Sequence, residues 1–310
     1  MKIAVVYDTD TYEQKKNMVT AVKNALLKKY DATELAFDEN FMYEIKKYDM
    51  VFNLSSSGGR ESRQMHVPAI LDIMGILHTG PGSYTHALCL NKTVTKIILR
   101  QNGIPTPLEI KQQDVFAHRW EEGTCFIVKP EREGSAKGIS DKSVVYDAQS
   151  MKKQVEYINH TFKQPALIEE FIMGRELSIG IVGNDESMEV LPILEIDFSG
   201  LPQEIEHFYS HRVKEEYGHL TSYKCPASLD NKTERVIKDY AAKIFNVLEL
   251  KDYCRMDVRL NEKNEPFFID VNSMPMLMPD YSDIIKMAKA AGWEYDDLIL
   301  KIVQSALSRK

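Results

Sequence analysis

Short apolar runs alternate with helical patterns in the N-terminal part of the chain. Residues 3–7 and 50–54 are mostly apolar, which is typical of buried strands. A helical pattern covers residues 13–29, and apolar residues recur at helical spacing again within residues 70–74. Strands that alternate with helices in this way predict a parallel sheet covered by helices.

Polar loops follow both predicted strands, at residues 8–13 and 55–60. Ligands of parallel sheets bind beyond the carboxyl ends of the strands, so both loops are candidate site loops. The serines and glycines of the second loop are equally typical of a solvated turn. The sequence pattern leaves both interpretations of that loop open.

A further helical pattern covers residues 91–101, with Val94, Ile97 and Ile98 on one face and Gly103 as its expected C-terminal cap. Further elements are predicted along the rest of the chain: strands at 126–129 and 167–171, a helix at 148–160 that begins after Asp147, and a long helix at 233–248.

A β-hairpin is predicted near the C-terminus. Residues 253–260 and 265–272 are alternating runs that flank the turn-forming residues 261–264. If Leu260 faces Glu265, side chains of period two share one face. The residues predicted on that face are Arg255, Asp257, Phe268, Asp270 and Asn272.

In this register Arg255 opposes Asp270, and Asp257 opposes Phe268. Buried carboxylates need a shared counter-charge, and with the amide oxygen of Asn272 they are the oxygen ligands that Mg²⁺ prefers. Few protein ligands would leave room for phosphate oxygens on the ion. A salt-bridged cluster on a solvated sheet face is the alternative that geometry leaves open.

The composition is that of an ordinary globular protein, with 44% hydrophobic and 27% charged residues among 310. The net charge of −7 argues against a sequence-independent nucleic-acid binder, which needs a basic face. The four cysteines have no C-x-x-C spacing, so neither a zinc site nor a redox pair is expected. The first residues predict a strand and not a signal peptide, and no apolar run approaches the roughly 20 residues of a membrane span. These features predict a soluble, cytoplasmic protein.

Two polar segments carry candidate nucleotide-binding groups. The strand at 126–129 ends in Lys129, and the loop at 131–138 has two glycines around Ser135, so its N–H groups can approach a phosphate. This loop lacks the Walker pattern. Residues 167–176 carry carboxylates that can accept hydrogen bonds from adenine or ribose. Taken singly, such a loop is more often only a turn, and the charged strand edge indicates a solvated edge.

In this order the segments resemble the ATP-grasp superfamily, and within it the D-alanine–D-alanine ligase branch. The resemblance implies an ATP-grasp fold of the α/β (α+β) class, with a Rossmann-like N-terminal lobe at residues 1–90. Two further lobes, residues 91–175 and 176–310, would clasp ATP. Five ordered segments carry the resemblance: residues 67–80, 91–107, 128–140, 169–176 and 255–275.

The resemblance implies that ATP contacts several residues of the chain. The phosphates would contact three lysines and the serine of a covering loop. Adenine would contact a segment of three residues, and ribose would contact a carboxylate. In that order these residues are Lys92, Lys129, Lys214 and Ser135, then Glu170, Phe171 and Ile172, then Glu176.

Metal and substrate roles also follow from the resemblance. Asp257, Asp270 and Asn272 match the ligands of one or two Mg²⁺ ions, with Mn²⁺ as an alternative ion. Arg255 matches the arginine that supports the reacting carbonyl, and Glu13 matches the glutamate that holds the first substrate's amino group.

The chain departs from the family pattern mainly on the substrate side. Asp270 stands where the family has glutamate, and Glu215 stands where it has tyrosine. Met276 replaces a glycine of the substrate-facing turn. Tyr281, with Ser282 beside it, replaces the serine that helps to hold the second substrate's carboxylate. We therefore take Met276, Tyr281 and Ser282 as candidate residues of an altered substrate pocket.

Residues 55–57 replace a histidine-containing segment, and residues 58–61 resemble a divergent ligase-like subgroup. The predicted function is an ATP-dependent carboxylate–amine ligase that forms an acylphosphate and acts on small amino acids other than two D-alanines. The alternatives are a D-alanine–D-alanine ligase proper, a kinase without amine attack, and a silent nucleotide-binding protein. Family members often form dimers, so the resemblance implies a homodimer, with small-molecule substrates and neither nucleic-acid nor membrane partners.

Overall fold

We describe residues 1–56, 63–115 and 124–309 of a computed structural model, the side chain of Gln14 excepted. Within these residues the strands form three sheets, of four, six and four strands. None of the helices in these ranges is long and apolar enough to cross a membrane. The functional groups predicted above lie mainly on the six-stranded sheet, on the smaller antiparallel sheet and on the helix at residues 92–101.

The N-terminal sheet is parallel, as the strand–helix alternation predicts. Its strands lie in the order β2-β1-β3-β4. Ile3 and Val5 pack on one side of this sheet, while Ala4 and Val6 pack on the other, so both faces are apolar and covered. The elements are β1 (Lys2–Asp8), α1 (Tyr12–Leu27), β2 (Asp31–Phe37), α2 (Phe41–Glu44), β3 (Met50–Asn53), α3 (His66–Met74) and β4 (Leu77–His78).

Helices α4 (Ser83–Leu90) and α5 (Lys92–Gln101) follow the first sheet. Asn91 caps α5, since its side chain accepts a hydrogen bond from the Val94 N–H at 3.1 Å, and Gly103 follows the helix with a φ of 69°. The apolar face of the sequence pattern is not the buried one, because Val94 and Ile97 are 36% and 47% exposed. The residues that α5 buries are Lys92, Thr95, Lys96 and Leu99.

A smaller antiparallel sheet has the order β5-β8-β6-β7. Asp147 caps its helix, as predicted. Val128 and its cross-strand neighbour Ile168 pack in a core with this helix, so Lys129 and Glu169, one residue further along each strand, project from the opposite face. The elements are β5 (Glu109–Ile110), β6 (Phe126–Pro130), β7 (Val144–Val145), α6 (Ala148–Phe162) and β8 (Ala166–Glu170).

The largest sheet is antiparallel, with its main strands in the order β12-β11-β9-β13-β14 and β10 paired with β9. Ile179 and Met256 pack in one core with α8, so Ser178 and Asp257 project from the opposite face. The elements are β9 (Arg175–Val182), β10 (Glu189–Val190), β11 (Leu194–Asp197), α7 (His211–Glu216), β12 (Ser222–Lys224), α8 (Asn231–Val247), β13 (Tyr253–Leu260), β14 (Pro266–Asn272), α9 (Asp283–Ala290) and α10 (Tyr295–Leu307).

The predicted hairpin exists as β13 and β14, but the predicted register is wrong. Asp257 lies opposite Asp270, and Arg255 lies opposite Asn272. The two carboxylates therefore face each other directly across the strands, where the sequence had placed Phe268 opposite Asp257. Directly opposed like charges destabilise a sheet unless cations lie beside them.

A one-residue shift at the turn and a β-bulge together cause this difference in register. Near the turn Leu260 pairs with Pro266 and Val258 with Phe268, and the pairing shifts between Asp257 and Val258. The extra residue reverses the faces beyond it. Phe268 is fully buried in the core beneath the sheet, so the expectation that it shares a face with the carboxylates is wrong.

The C-terminal helix α10 returns to the N-terminal sheet and shares a core with α1. Just after α10, the Nη2 of Arg309 donates to the Oδ2 of Asp252 at 2.8 Å. The Asp252 carboxylate is fully buried and also accepts from the Gly80 N–H and the Asn184 Nδ2, each at 2.8 Å. This buried cluster ties the first sheet to the loop before β13.

Candidate active site

Two predicted phosphate-binding lysines are buried at the junction of α5 and β6. The Nζ of Lys92 donates to the Glu133 carbonyl at 2.5 Å and lies 3.8 Å from the Oδ2 of Asp270. The Nζ of Lys129 lies 2.5 Å from the Oε1 of Glu169. The two lysines thus stand on separate elements, each with its own carboxylate neighbour.

Lys96 and Glu169 were missed as site residues by the sequence reasoning. With Lys129 they form what we call the buried triad, whose members are 2%, 1% and 5% exposed. Lys96 contacts Glu169 through the carboxylate oxygen that Lys129 leaves free. Burial lowers the pKa of Lys129 to about 8, although Asp270 acts to raise it. The available sequence signal was spacing, because Lys96 lies one helical turn after Lys92.

Arg255 and the predicted metal ligands lie together on the open face of the largest sheet. The Nε and Nη2 of Arg255 donate to the two oxygens of Asp257 at 2.8 and 2.9 Å. Asp257 also accepts from the Ser178 Oγ at 2.8 Å and from the Asn272 Nδ2 at 3.0 Å. The geometry therefore brings together Arg255, Asp257, Asp270 and Asn272, as the sequence predicted.

The electrostatics of this group keep Asp257 ionised. Burial would raise the pKa of Asp257, but the charge and hydrogen bonds of Arg255, with those of Ser178 and Asn272, lower it below its usual value. For Arg255, burial acts to lower the pKa, and Asp257 and Asp283 together hold it above its usual value. The pair is thus charged on both sides.

The donor set of Asp257, Asp270 and Asn272 fits a magnesium ion. Two opposed carboxylates and one amide are hard oxygen donors, and they leave most positions of an octahedral ion for water and phosphate. Across the described residues no three His, Cys, Asp or Glu side chains are grouped as a metal site. These residues therefore do not form a closed metal site from protein ligands alone. The oxygen donors of Asp257, Asp270 and Asn272 suit an ion that a phosphate chain also coordinates.

The predicted adenine segment lines a cavity of about 410 Å³ between β8 and the β13–β14 turn. The ring of Phe171 lies 5.4 Å from the ring of Phe208 and 4.6 Å from the guanidinium of Arg259. Gly174 follows with a φ of 131°, and a Cβ there would lie 2.1 Å from the Leu260 carbonyl, so only glycine fits this close approach. The residues that line the cavity are Thr124, Cys125, Glu170, Phe171, Ile172, Met173, Asn261, Glu262, Lys263 and Phe267.

Glu176, the predicted ribose carboxylate, is buried at the start of β9. The Nη1 of Arg259 donates to its Oε2 at 2.9 Å, and the Tyr209 N–H approaches the same oxygen at 3.4 Å. Burial raises the pKa of Glu176, with Arg259 opposing the shift. Arg259 also donates to the carbonyls of Ile172 and Gly174 at 2.6 and 3.0 Å, so it fixes the adenine segment. Arg259 was not predicted as a site residue from the sequence.

The loop that contains Ser135 is tied to the segment that contains Lys214. Ser135 has a φ of 57°, which is uncommon for a residue other than glycine. The Ile139 carbonyl accepts from the His211 N–H at 3.0 Å, at the first residue of α7. Burial lowers the pKa of Lys214, and the charge of Arg255 acts in the same direction. Lys214 is thus partly buried and influenced by the charge of Arg255, and its phosphate role stays a prediction.

The candidate substrate residues differ in their surroundings. Ser282 is buried, and its Oγ accepts from the Met278 N–H at 2.9 Å, so it holds the turn before α9. Tyr281 is 46% exposed, and its ring lies 6.0 Å from the Nζ of Lys214. Met276 is partly buried against the core that α9 and α10 share. Asp283 was not predicted.

Asp283, the first residue of α9, adds a carboxylate to this side of the site. Its Oδ2 lies 3.6 Å from the Nη1 of Arg255, and its Oδ1 lies 3.3 Å from the Nζ of Lys286. The Lys286 ammonium in turn lies 4.0 Å from the ring centre of Tyr223. Arg255 is therefore held between carboxylates of two elements, β13 and α9.

Glu13 lies exposed in the first turn of α1, away from the hydrogen bonds that organise the end of β1. There Asp8 is buried and accepts from the Ser55 hydroxyl and, at 2.7 Å, from the Ser56 N–H. The Nζ of Lys15 donates to the Ser56 Oγ at 2.7 Å. The predicted loops meet at the carboxyl edge of the sheet; residues 57–61 lie outside the described ranges.

Buried lysines of α5 and β6 lie beside the opposed carboxylates of β13 and β14, an arrangement that suits ATP chemistry, and the comparisons with known proteins place the chain among the ATP-dependent ligases that form carbon–nitrogen bonds. The family model "D-ala D-ala ligase C-terminus" matches residues 103–304. The chain belongs to the D-alanine–D-alanine ligase family, which has the ATP-grasp fold.

Individual relatives extend this result. An uncharacterised protein, y4sG of Sinorhizobium fredii, is 32% identical over 84% of this chain and 75% of its own length. The D-alanine–D-alanine ligase of Carboxydothermus hydrogenoformans is 29% identical over 99% of this chain and 98% of its own length.

Solved structures support the fold. The D-alanine–D-alanine ligase of Bacillus anthracis, complexed with ATP, covers 100% of this chain and 98% of its own at a TM-score of 0.77 and 22% identity. The VanG D-Ala:D-Ser ligase of Enterococcus faecalis covers 98% of this chain and 99% of its own at a TM-score of 0.73 and 21% identity. The predicted fold and enzyme class are confirmed, whereas the individual site residues remain predictions.

Proposed function

We propose that the protein joins the carboxylate of one small amino acid to the amine of another, with release of ADP and phosphate. The observation that carries this proposal is the direct opposition of Asp257 and Asp270, with Arg255 beside the first and Lys92 beside the second. Alternating anionic and cationic groups at one place suit a polyphosphate that arrives with a divalent cation.

The ATP site would use groups from both sheets. Lys92, Lys129 and Lys214 would offset the charge of the phosphates, and the loop with Ser135 would cover them. Phe171, with the neighbouring Glu170 and Ile172, would contact adenine, and Glu176 would accept hydrogen bonds from ribose. The family model and the ATP complex of a relative with the same fold support this assignment.

Asp257, Asp270 and Asn272 would hold Mg²⁺, which when bound supplies positive charge beside the transferring phosphoryl group. The Asp257 carboxylate is already shared by Arg255, Ser178 and Asn272, so its position is fixed before any ligand arrives. Preorganised groups of this kind cost little reorganisation during the reaction.

In the proposed reaction a carboxylate oxygen of the first substrate attacks the γ-phosphorus of ATP, and ADP leaves. The amine of the second substrate then attacks the carbonyl carbon of the acylphosphate, and phosphate leaves with the electron pair of the broken C–O bond. Arg255 would donate to the carbonyl oxygen as it becomes negative, and Asp257 and Asp283 orient its guanidinium. Glu13 would hold the amino group of the first substrate.

The names of the relatives point to D-amino-acid substrates, D-alanine with D-alanine or with D-serine. We infer that the acceptor of this protein differs from D-alanine, because its side of the site carries the ion pair of Asp283 and Lys286 beside Tyr281. Ligation of two D-alanines is the second candidate, supported by the relative that aligns over 98% of its length.

We also propose the division of the chain into lobes at residues 1–90, 91–175 and 176–310. The core that α1 shares with α10 supports a C-terminal lobe that reaches back to the first sheet. ATP would then bind between the second lobe, which contains the buried triad, and the third lobe, which contains the opposed carboxylates.

The test is a screen for ADP release with single D-amino acids and with pairs, analysed for the ligated product. ADP release that needs two substrates, with a dipeptide-like product, supports the ligase. Release with one substrate and no amide product would support a kinase instead. Arg255→Met should still bind ADP but lose product formation; a variant that forms product at the native rate would refute the role of Arg255.

A further inference from the structure

The buried triad contains more positive than negative charge. Lys96 and Lys129 share the single carboxylate of Glu169, and all three side chains are almost completely shielded from solvent. A buried ammonium that lacks a full counter-charge is unfavourable, so such an arrangement is stabilised when an anion binds beside it. The excess of charge thus indicates a function outside simple packing.

The neighbouring carboxylates do not remove this excess. Burial and the charge of Lys129 lower the pKa of Lys96, and Glu109 acts to raise it, but the Nη2 of Arg100 already lies 3.3 Å from the Oε2 of Glu109. Asp270 lies 3.8 Å from the Nζ of Lys92, which is itself a buried cation. Among the described residues, Lys92, Lys96 and Lys129 therefore share only the carboxylates of Glu169 and Asp270 within 4 Å.

The triad also connects three separate elements. Lys96 belongs to α5, Glu169 to β8 and Lys129 to β6. Lys92 lies one turn before Lys96 on the same buried face of α5. The contact between Lys96 and Glu169 therefore links the helix that carries one candidate phosphate lysine to the sheet that carries the other.

The two contacts to Glu169 divide its carboxylate. Lys129 takes Oε1 and Lys96 takes Oε2. If Lys96 lost its charge, both oxygens would be available to Lys129, whose ammonium would be neutralised and drawn toward the carboxylate. With Lys96 in place, Lys129 keeps part of its positive charge available to a ligand.

We propose that Lys96 is a positioning residue of the nucleotide site: it holds Glu169, keeps Lys129 in place beside Lys92, and leaves one positive charge to be balanced by the phosphates of ATP. This inference rests on the proposed ATP site. It assigns Lys96 an effect on phosphate binding, not on recognition of the nucleoside.

The experiment compares the binding of adenosine and of ADP with Mg²⁺ by titration calorimetry. Lys96→Met keeps the length of the side chain and removes its charge. We expect the Kd of ADP to rise at least about tenfold, while the Kd of adenosine stays within about twofold. Lys96→Arg, which keeps the charge, should restore most of the ADP affinity.

Two further variants make the result decisive. Lys96→Gln can still donate a hydrogen bond to Glu169 without a charge, and it should lose ADP affinity as Lys96→Met does even if the latter folds poorly. Lys238→Met is the matched control, because Lys238 is a partly exposed lysine paired with Glu234 on α8. Its affinities for both ligands should equal those of the wild type.

The possible outcomes separate this inference from the proposed function. If the wild type bound no ADP, the proposed ATP-dependent ligase would fail. If the wild type bound ADP, and folded Lys96→Gln and Lys96→Met bound it equally well, only the role of Lys96 would be refuted. An equal loss of adenosine and ADP affinity would also overturn it, since the residue would then support the whole cleft.

Discussion

Replacement of Asp252 by asparagine tests how strongly the C-terminal segment is tied to the first sheet. The Asp252 carboxylate is 0% exposed and accepts from Arg309, Gly80 and Asn184, each at 2.8 Å. Asp252 has a φ of 65°, a left-handed conformation that asparagine also tolerates. Asp252→Asn therefore keeps the shape and backbone and removes the charge.

The expected loss of stability follows from these contacts. The guanidinium of Arg309 would lose its counter-charge, and an amide N–H₂ would replace an acceptor that now faces a donor. Removing one partner of a buried pair costs about 3–5 kcal/mol. The Arg309 side chain is 23% exposed, so hydration offsets part of the loss, and we expect the lower limit of about 3 kcal/mol. At about 2–4 °C per kcal/mol for a large domain, the Tm should fall by about 6–12 °C.

Calorimetric melting at neutral pH measures this shift. Asp239→Asn is the matched control, because Asp239 pairs with Arg235 at 3.7 Å while both side chains are highly exposed, at 73% and 84%. That change should move the Tm by about 1 °C or less. A fall in Tm for Asp252→Asn no greater than that of the control would refute the reasoning about the buried cluster.

Three other predictions concern the site. Burial lowers the pKa of Lys129 to about 8, so its positive charge is lost as the pH rises through that value. ADP binding measured by calorimetry should therefore weaken between pH 7 and 9, and a constant affinity would contradict this. Chelation of divalent ions should stop ADP release. Asp257→Asn should raise the Mg²⁺ concentration for half-maximal ADP release about tenfold, and an unchanged Mg²⁺ requirement would exclude Asp257 as a ligand. Gly174→Ala should lower stability in urea unfolding, since its Cβ would lie 2.1 Å from the Leu260 carbonyl, by clearly more than Gly103→Ala, which meets no atom within 4 Å.

Several long elements could be predicted because their patterns are local, although β2, β9 and α10 were not identified. The apolar run at β1 and the periodic stretches at α1, α6 and α8 contain enough positions to define a period. The two-residue strands β4, β5, β7 and β10 contain no period at all. Their existence depends on partner strands that the surrounding sequence does not specify, so they could not be predicted.

The buried face of α5 was hidden for a different reason. Apolar residues normally mark the core side of a helix, yet Val94 and Ile97 are exposed while Lys92 and Lys96 are buried. The lysines are buried because Glu169 and the neighbouring Asp270 face them, and those carboxylates come from distant parts of the chain. A polar buried face of this kind marks a site and not a packing surface.

The hairpin register contained a signal that simple alternation overlooks. Phe268 and Asp270 are two residues apart, so a regular strand would place a large apolar group and a carboxylate on the same face. The β-bulge resolves that conflict, since Phe268 enters the core and Asp270 comes to face Asp257. A mismatch of polarity at positions i and i+2 thus predicts a bulge beside a functional residue.

The acceptor side of the site could not be predicted because its chemistry depends on the fold. In the sequence, Asp283 and Lys286 have the spacing of an ordinary ion pair on a helix surface. In the structure Asp283 is 8% exposed and lies 3.6 Å from Arg255, the group that would receive the developing charge. The resemblance to the family reaches the residues that would hold ATP, because their roles do not change with the amino acid that is joined. The choice of the amine substrate depends on side chains such as Tyr281, which differs from the family pattern, and Asp283, which was not predicted. The identity of that substrate has to be found by varying the amine in the ligation assay.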